Sequence, residues 1–209
     1  MTVNNGYSTL TQVKAVAQVR GAEDDETIEL AINAASRMID AYCGWRFWQD
    51  ATVVARTFEP DDEDELCVTE DDGGDGISTT TGLIVKLDND GDGTFETTLT
   101  IGTDFVLKPA NAAARYPVWP YTEIALTNTT VFPREVNNRP TVQVTAKWGF
   151  PAVPDEVSAA CVLLARDIYK EGKSAPFGIA DFGGDGPLRV GAHRTARMLL
   201  ESYRKASIG

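Results

Sequence analysis

The sequence predicts an α+β protein in which a helical bundle carries an inserted antiparallel β subdomain. Three observations carry that expectation. Apolar residues recur at helical spacing up to Cys43 and again from Val157. Between Ala51 and Trp148 the period changes to two. The short alternating runs there are separated by turns rich in Gly, Asp, Asn and Pro. The bundle is expected to hold two N-terminal helices, one long helix and one short C-terminal helix. Its domain limits follow the change of period: 1–50 and 141–209 as helical core, with a C-terminal arm from about 187, and 51–140 as the β-rich insertion.

The first helix opens at Thr9 and Gln12, whose spacing allows a reciprocal cap. Leu10, Val13, Val16 and Ala17 continue it toward a stop at Gly21. The second opens on the acidic run Glu23–Glu26, which suits the positive end of a helix dipole. Its stripe is Ile28, Ile32, Ala35, Ile39 and Cys43, and Gly44 ends it. Trp45, Phe47 and Trp48 follow as core aromatics rather than a stacking platform for bases.

Strands are expected near 53–58, 66–69, 82–87, 94–100, 104–107, 123–126 and 141–148. In the last of these, Val142, Val144, Ala146 and Trp148 share one face. Pro154, Asp155 and Glu156 then start the long helix, with Val157, Cys161, Leu164, Ala165, Ile168 and Tyr169 along one side. That helix is expected to end near Gly172. A glycine-rich stretch separates it from a final helix within 192–205, whose apolar face is Ala196, Leu199, Leu200 and Tyr203.

The net charge is −12 over 209 residues, so the chain as a whole repels DNA and does not suit a transcription factor or nuclease. It does suit a surface past which DNA slides without sticking. No apolar run approaches the ~20 residues of a membrane span. The opening MTVNNGYSTL predicts no signal peptide. Cys43, Cys67 and Cys161 lie far apart and read as reduced thiols, not as a disulfide framework or metal site.

Several motifs suggest chemistry and fall short of it. Asp88, Asp90 and Asp92 hold the first, third and fifth positions of a calcium loop, and Gly93 supplies the turn. Leu99 stands where the closing carboxylate belongs, so an acidic hairpin that folds without calcium is expected. Gly172-Lys173-Ser174 ends a helix, whereas a phosphate loop opens one. His193, the only histidine, has no nucleophile at a recognisable spacing. The acid run Asp61–Glu65, with Asp71, Asp72 and Asp75 nearby, reads as a solvated loop. No catalytic residue, cofactor or metal is expected.

The arm differs, because Arg189, Arg194, Arg197, Arg204 and Lys205 gather positive charge in an acidic chain. A helix this short needs a surface to pack on, either its own body or a partner. Because the other core stripes precede it, deletion of 187–209 is expected to leave the body folded.

The segment WGFPAVPDEVSAACVLLARDIYK, followed by SAPFG and a terminal basic helix, resembles the head-to-tail connector (adaptor) proteins of long-tailed bacteriophages. The hairpin DNDGDGTFETTLTIGTDFVL is similar to that family as well, and the likeness covers most of the chain. The resemblance implies a non-enzymatic virion protein of the head–tail neck, assembled in the host bacterial cytoplasm. It implies a ring of identical copies, twelve-fold by analogy, beneath the portal protein. Such a ring extends the channel for double-stranded DNA and offers a platform to the next neck protein, the stopper, with no membrane partner. It assigns portal docking to the arm, here Leu188, Arg189, Arg194, Arg197, Leu199, Leu200 and Tyr203. The isolated chain is expected to be monomeric or weakly associated. The alternatives are a calcium-binding β-rich binding module and a hydrolase using His193 or an acid pair.

Overall fold

A computed structural model describes residues 2–69, 75–134, 136–174 and 193–205. The chain divides into two compact units, residues 1–47 with 153–209, and residues 48–152. The first is helical and the second is β, so the fold is α+β.

The helical unit begins with α1 (Leu10–Ala17), closed by the expected reciprocal cap. The Thr9 N–H donates to Gln12 Oε1 at 2.8 Å, and the Gln12 N–H donates to Thr9 Oγ1 at 3.3 Å. The helix stops before Gly21, because Gln18 already turns left-handed with φ 60° and returns its N–H to the Lys14 carbonyl. Helix α2 (Asp25–Cys43) buries Ile28, Ala31, Ile32, Ala35, Ser36, Ile39 and Cys43 on one face. It ends at Gly44, whose φ of 73° is the left-handed conformation that glycine adopts without strain.

Helix α3 (Asp155–Ser174) packs its Val157, Ala160, Cys161, Leu164 and Ala165 side into the same core. Ile168, expected on that side, is only half-buried. Gly172, Lys173 and Ser174 form the last turn of α3, so their amides do not make a phosphate cradle. Helix α4 (Arg194–Leu200) is shorter than the sequence suggests and tightens into a 3-10 turn over Glu201–Tyr203.

The β unit is built from two antiparallel sheets. Strands β1 (Val54–Phe58), β3 (Ile77–Leu87), β4 (Thr97–Leu99) and β7 (Val142–Trp148) make one, ordered β1-β7-β3-β4. Strands β2 (Glu65–Cys67), β5 (Phe105–Lys108) and β6 (Glu123–Leu126) make the other, ordered β2-β6-β5. Their inner faces share one core containing Phe58, Leu66, Val85, Phe105, Ile124 and Val144. The alternation of β7 holds: Val142, Val144, Ala146 and Trp148 are buried, and the residues between them are half-buried.

Because β7 pairs with both β1 and β3, residues 141–152 belong with the β unit and not with the helical core expected to include them. Strand β3 also starts earlier than expected, at Ile77. Its register shifts between Ile77 and Ile84, which breaks the period-two pattern there. Gly149 closes β7 with φ 103°; a Cβ there would lie 2.0 Å from the Trp48 carbonyl oxygen, so the backbones approach where no side chain fits.

Candidate interaction surface

The basic C-terminal segment docks on its own helical unit. Leu200 and Ala196 are fully buried, and Tyr203 is nearly so. The Tyr203 ring stands edge-on to Phe47, centroids 5.6 Å apart, and Phe47 is in turn edge-on to Tyr7 at 5.7 Å. At its polar end the Tyr203 hydroxyl donates to Glu156 at 2.9 Å, which lets a phenol sit in a core without an unmet donor. Beyond it, the Lys205 N–H donates to the Cys43 carbonyl at 2.8 Å, and its ammonium lies 4.1 Å over the Trp45 ring.

Of the three aromatics expected in the core, Phe47 is fully buried, whereas Trp45 and Trp48 are half-buried. Burial pushes the Cys43 thiol up to about 12, with the Asp40 charge adding to it. Burial also raises Tyr7 well above an ordinary phenol, helped by its hydrogen bond to Asp40.

These placements divide the residues assigned to portal docking. Leu200 and Tyr203 face the body, Leu199 is half-buried, and Arg194 and Arg197 are exposed; Leu188 and Arg189 lie outside the described residues. The apolar face of α4 is thus core rather than docking surface. Against the expectation that the body does not need residues 187–209, Leu200 and Tyr203 belong to its core, so their removal would empty the space around Phe47.

His193 starts α4 and does not resemble a catalytic base. Its Nδ1 accepts the Ala196 N–H at 3.0 Å, capping the helix, and its Nε2 faces an Asp167 oxygen at 3.2 Å. Both ring nitrogens are thus engaged, Nδ1 in capping α4 and Nε2 in tying it to Asp167 of α3.

The exposed side of α4 forms a groove of about 540 Å³ with α2, lined by Tyr42, Arg197, Met198, Glu201 and Arg204. Met198 is 68% exposed. The Arg204 guanidinium lies 5.2 Å over the Tyr42 ring, and the Tyr42 hydroxyl donates to Glu201 at 3.2 Å. Burial, and then the Glu201 carboxylate, raises the Tyr42 phenol, which keeps it a neutral donor. Sequence periodicity could not have shown this groove, because it joins residues more than 150 positions apart.

In the β unit, acidic side chains gather in two places. Residues Asp61–Glu65 are all exposed, but their backbone is fixed. Phe132 and Leu126 donate their N–H groups to the carbonyls of Glu63 and Asp64, each at 2.8 Å. Within the run, the Asp64 N–H donates to the Asp62 carboxylate at 2.8 Å and holds that carboxyl below its ordinary value. Glu65 pairs with Lys108. A recess of about 240 Å³ lies beside this ridge, with Glu59, Asp61, Asp62 and Glu123 on its walls. Asp71 and Asp72 lie outside the described residues. Asp75 pairs with Arg56 at 3.2 Å, and that guanidinium stacks 4.5 Å over Trp148.

The second place is the turn after β3, where carboxylate oxygens of Asp88, Asp90, Asp92 and Glu96 lie within 4.8 Å of one another. Asp88 is fully buried, and its two oxygens accept the N–H groups of Gly91 at 2.7 Å and Gly93 at 2.8 Å. Burial works against its charge, but the surrounding backbone N–H groups outweigh it and hold the carboxyl below its ordinary value. Oxygen donors of this kind suit a hard cation. The central one is already committed to the backbone of its own turn.

No helix among the described residues is long and apolar enough to cross a membrane. No protein-family model matches the sequence, and neither does any curated protein. Solved structures do match the fold over its full length. A chain from the neck of an empty gene transfer agent (GTA) particle, computed with C6 symmetry, aligns with TM-score 0.57 at 15% identity, covering 100% of this chain and 95% of that one. A chain from the neck of the native particle, computed with C12 symmetry, aligns at TM-score 0.53 and 16% identity, covering 100% and 98%. A chain of the native virion gives TM-score 0.53 at 16% identity, covering 100% and 95%. The fold of this chain, helical frame and β unit together, is that of proteins in the neck of a phage-like particle.

Proposed function

We propose that this chain is a structural neck protein of a phage-like particle. In the finer reading it is the head-to-tail adaptor: a ring beneath the portal that extends the DNA channel and carries the next neck protein. The observation that supports it most is the full-length correspondence with neck chains, 100% of this chain at TM-score 0.57. The symmetry of those particles favours a ring of identical copies. A net charge of −12 adds support, because a conduit should let DNA pass rather than hold its phosphates. Catalysis forms no part of this reading, since His193 is a helix cap bound at both nitrogens.

Portal attachment remains with the arm, but its parts differ in role. Leu200 and Tyr203 anchor the arm to its own body. Arg194, together with Leu188 and Arg189, then meets the portal, and half-buried Leu199 borders that contact. Electron microscopy of the chain co-expressed with the portal of its particle tests the reading. The expected result is a closed ring of this protein on one end of the portal. Portal particles without added density, under conditions where both proteins are folded, would overturn it.

A further inference from the structure

A closed ring needs two different surfaces on each copy, each complementary to the other on the next copy. A single self-complementary patch gives only a dimer. Resting on the ring reading above, we infer that the groove of Tyr42, Arg197, Met198 and Arg204 receives the acidic ridge Asp61–Glu65 of a second copy of this chain.

The groove has the composition of a contact centre. Arginine, tyrosine and methionine are enriched where proteins meet, and lysine is depleted. Its parts are held in place before any partner arrives. Arg204 is stacked on Tyr42, and Tyr42 is tied to Glu201. A side chain as exposed as Met198, at 68%, gains from being covered.

The ridge is as well prepared. Two of its carbonyls are bound by Phe132 and Leu126, so its carboxylates project from fixed backbone and lose little freedom on binding. Arginine recognises carboxylate through paired N–H groups, which gives this contact geometry as well as charge. In a chain of net charge −12, copies repel one another at long range. Local pairing of opposite charges is therefore what permits association. Duplex DNA is the rival anion, because it would meet the same two guanidiniums and the same Glu201, which pairs with Arg204 at 3.6 Å.

The test uses the full chain, followed by sedimentation at high protein concentration in low and high salt. The parent should associate weakly at low salt and dissociate at high salt, because exposed ion pairs are screened over ~8–10 Å. Arg197→Glu with Arg204→Glu should weaken association about tenfold or more, and so should Asp61→Lys with Glu63→Lys. Mixing the two variants should restore it, since each then offers the surface that the other lacks. Circular dichroism on each variant separates loss of contact from loss of fold.

A parent that stays monomeric at low salt overturns the proposal, as does a mixture that does not recover. Loss of duplex DNA retention in the groove variant, with self-association intact, assigns the groove to phosphate and also overturns it. If the charge-swapped variants still form rings on the portal as the parent does, the groove proposal fails and the neck reading stands. If no ring forms on the portal with any variant or with the parent, the neck reading itself fails.

Discussion

Helix α4 carries basic side chains and the turn after β3 acidic ones, and they settle their chemistry at opposite ranges. The acidic turn settles it locally: the charge of Asp88 is stabilised by N–H groups three and five residues ahead of it. The basic helix settles it at long range, burying Tyr203 against Phe47 and Glu156, each from a distant part of the chain. A charged segment is not by that token a ligand site. In both segments the buried side chain serves the fold, and what remains for partners is the solvent-facing remainder.

The largest loss is expected at Tyr203. Tyr203→Ala should cost about 3–5 kcal/mol, as for other large aromatic truncations in cores, measured by denaturant unfolding. Arg194→Glu on the exposed side of α4 should change stability by under about 0.5 kcal/mol while weakening portal attachment. Equal and small losses at the two positions would show that α4 does not belong to the helical core.

A smaller loss is expected at the acidic turn. Asp88→Ala leaves the Gly91 and Gly93 N–H groups without their acceptor, so thermal stability should fall, but by less than for Tyr203→Ala. The pH dependence has a definite sign. The Asp88 carboxyl titrates below its ordinary value in the folded chain. Its stabilisation is therefore complete above the unfolded value of about 3.9 and is lost as pH falls through the lower folded value. The parent should lose stability on acidification below about pH 4 more steeply than Asp88→Ala does.

The smallest effect concerns calcium. Unfolding midpoints with chelator and with millimolar calcium should nearly coincide, since Leu99 occupies the position of the closing carboxylate. A large upward shift at micromolar calcium would make the turn a true cation site and end its contrast with α4.

Some of this structure was legible residue by residue. The capping pair Thr9 and Gln12, the stripe from Ile28 to Cys43, and the alternation from Val142 to Trp148 are local patterns, and each folded as its spacing requires. The ends of elements were less legible. Gln18 adopts a left-handed cap usually given to glycine, and the irregular stretch between Ile77 and Ile84 hides half of a strand. The docking residues were legible as types only: the sequence marked Leu200, Tyr203 and Arg197 alike, and packing separated them.

The helices, most of the strands and the α+β class were already fixed by local sequence. These rest on periodicity and on turn and cap residues, which act over a few positions. Only the tertiary structure decided that β7 joins the β unit, that the arm's apolar face is its own core, and that Tyr42 meets Arg204 in a groove. Those outcomes depend on which surfaces find each other across separations far longer than a turn or a helix, and no local pattern encodes the partner of a face.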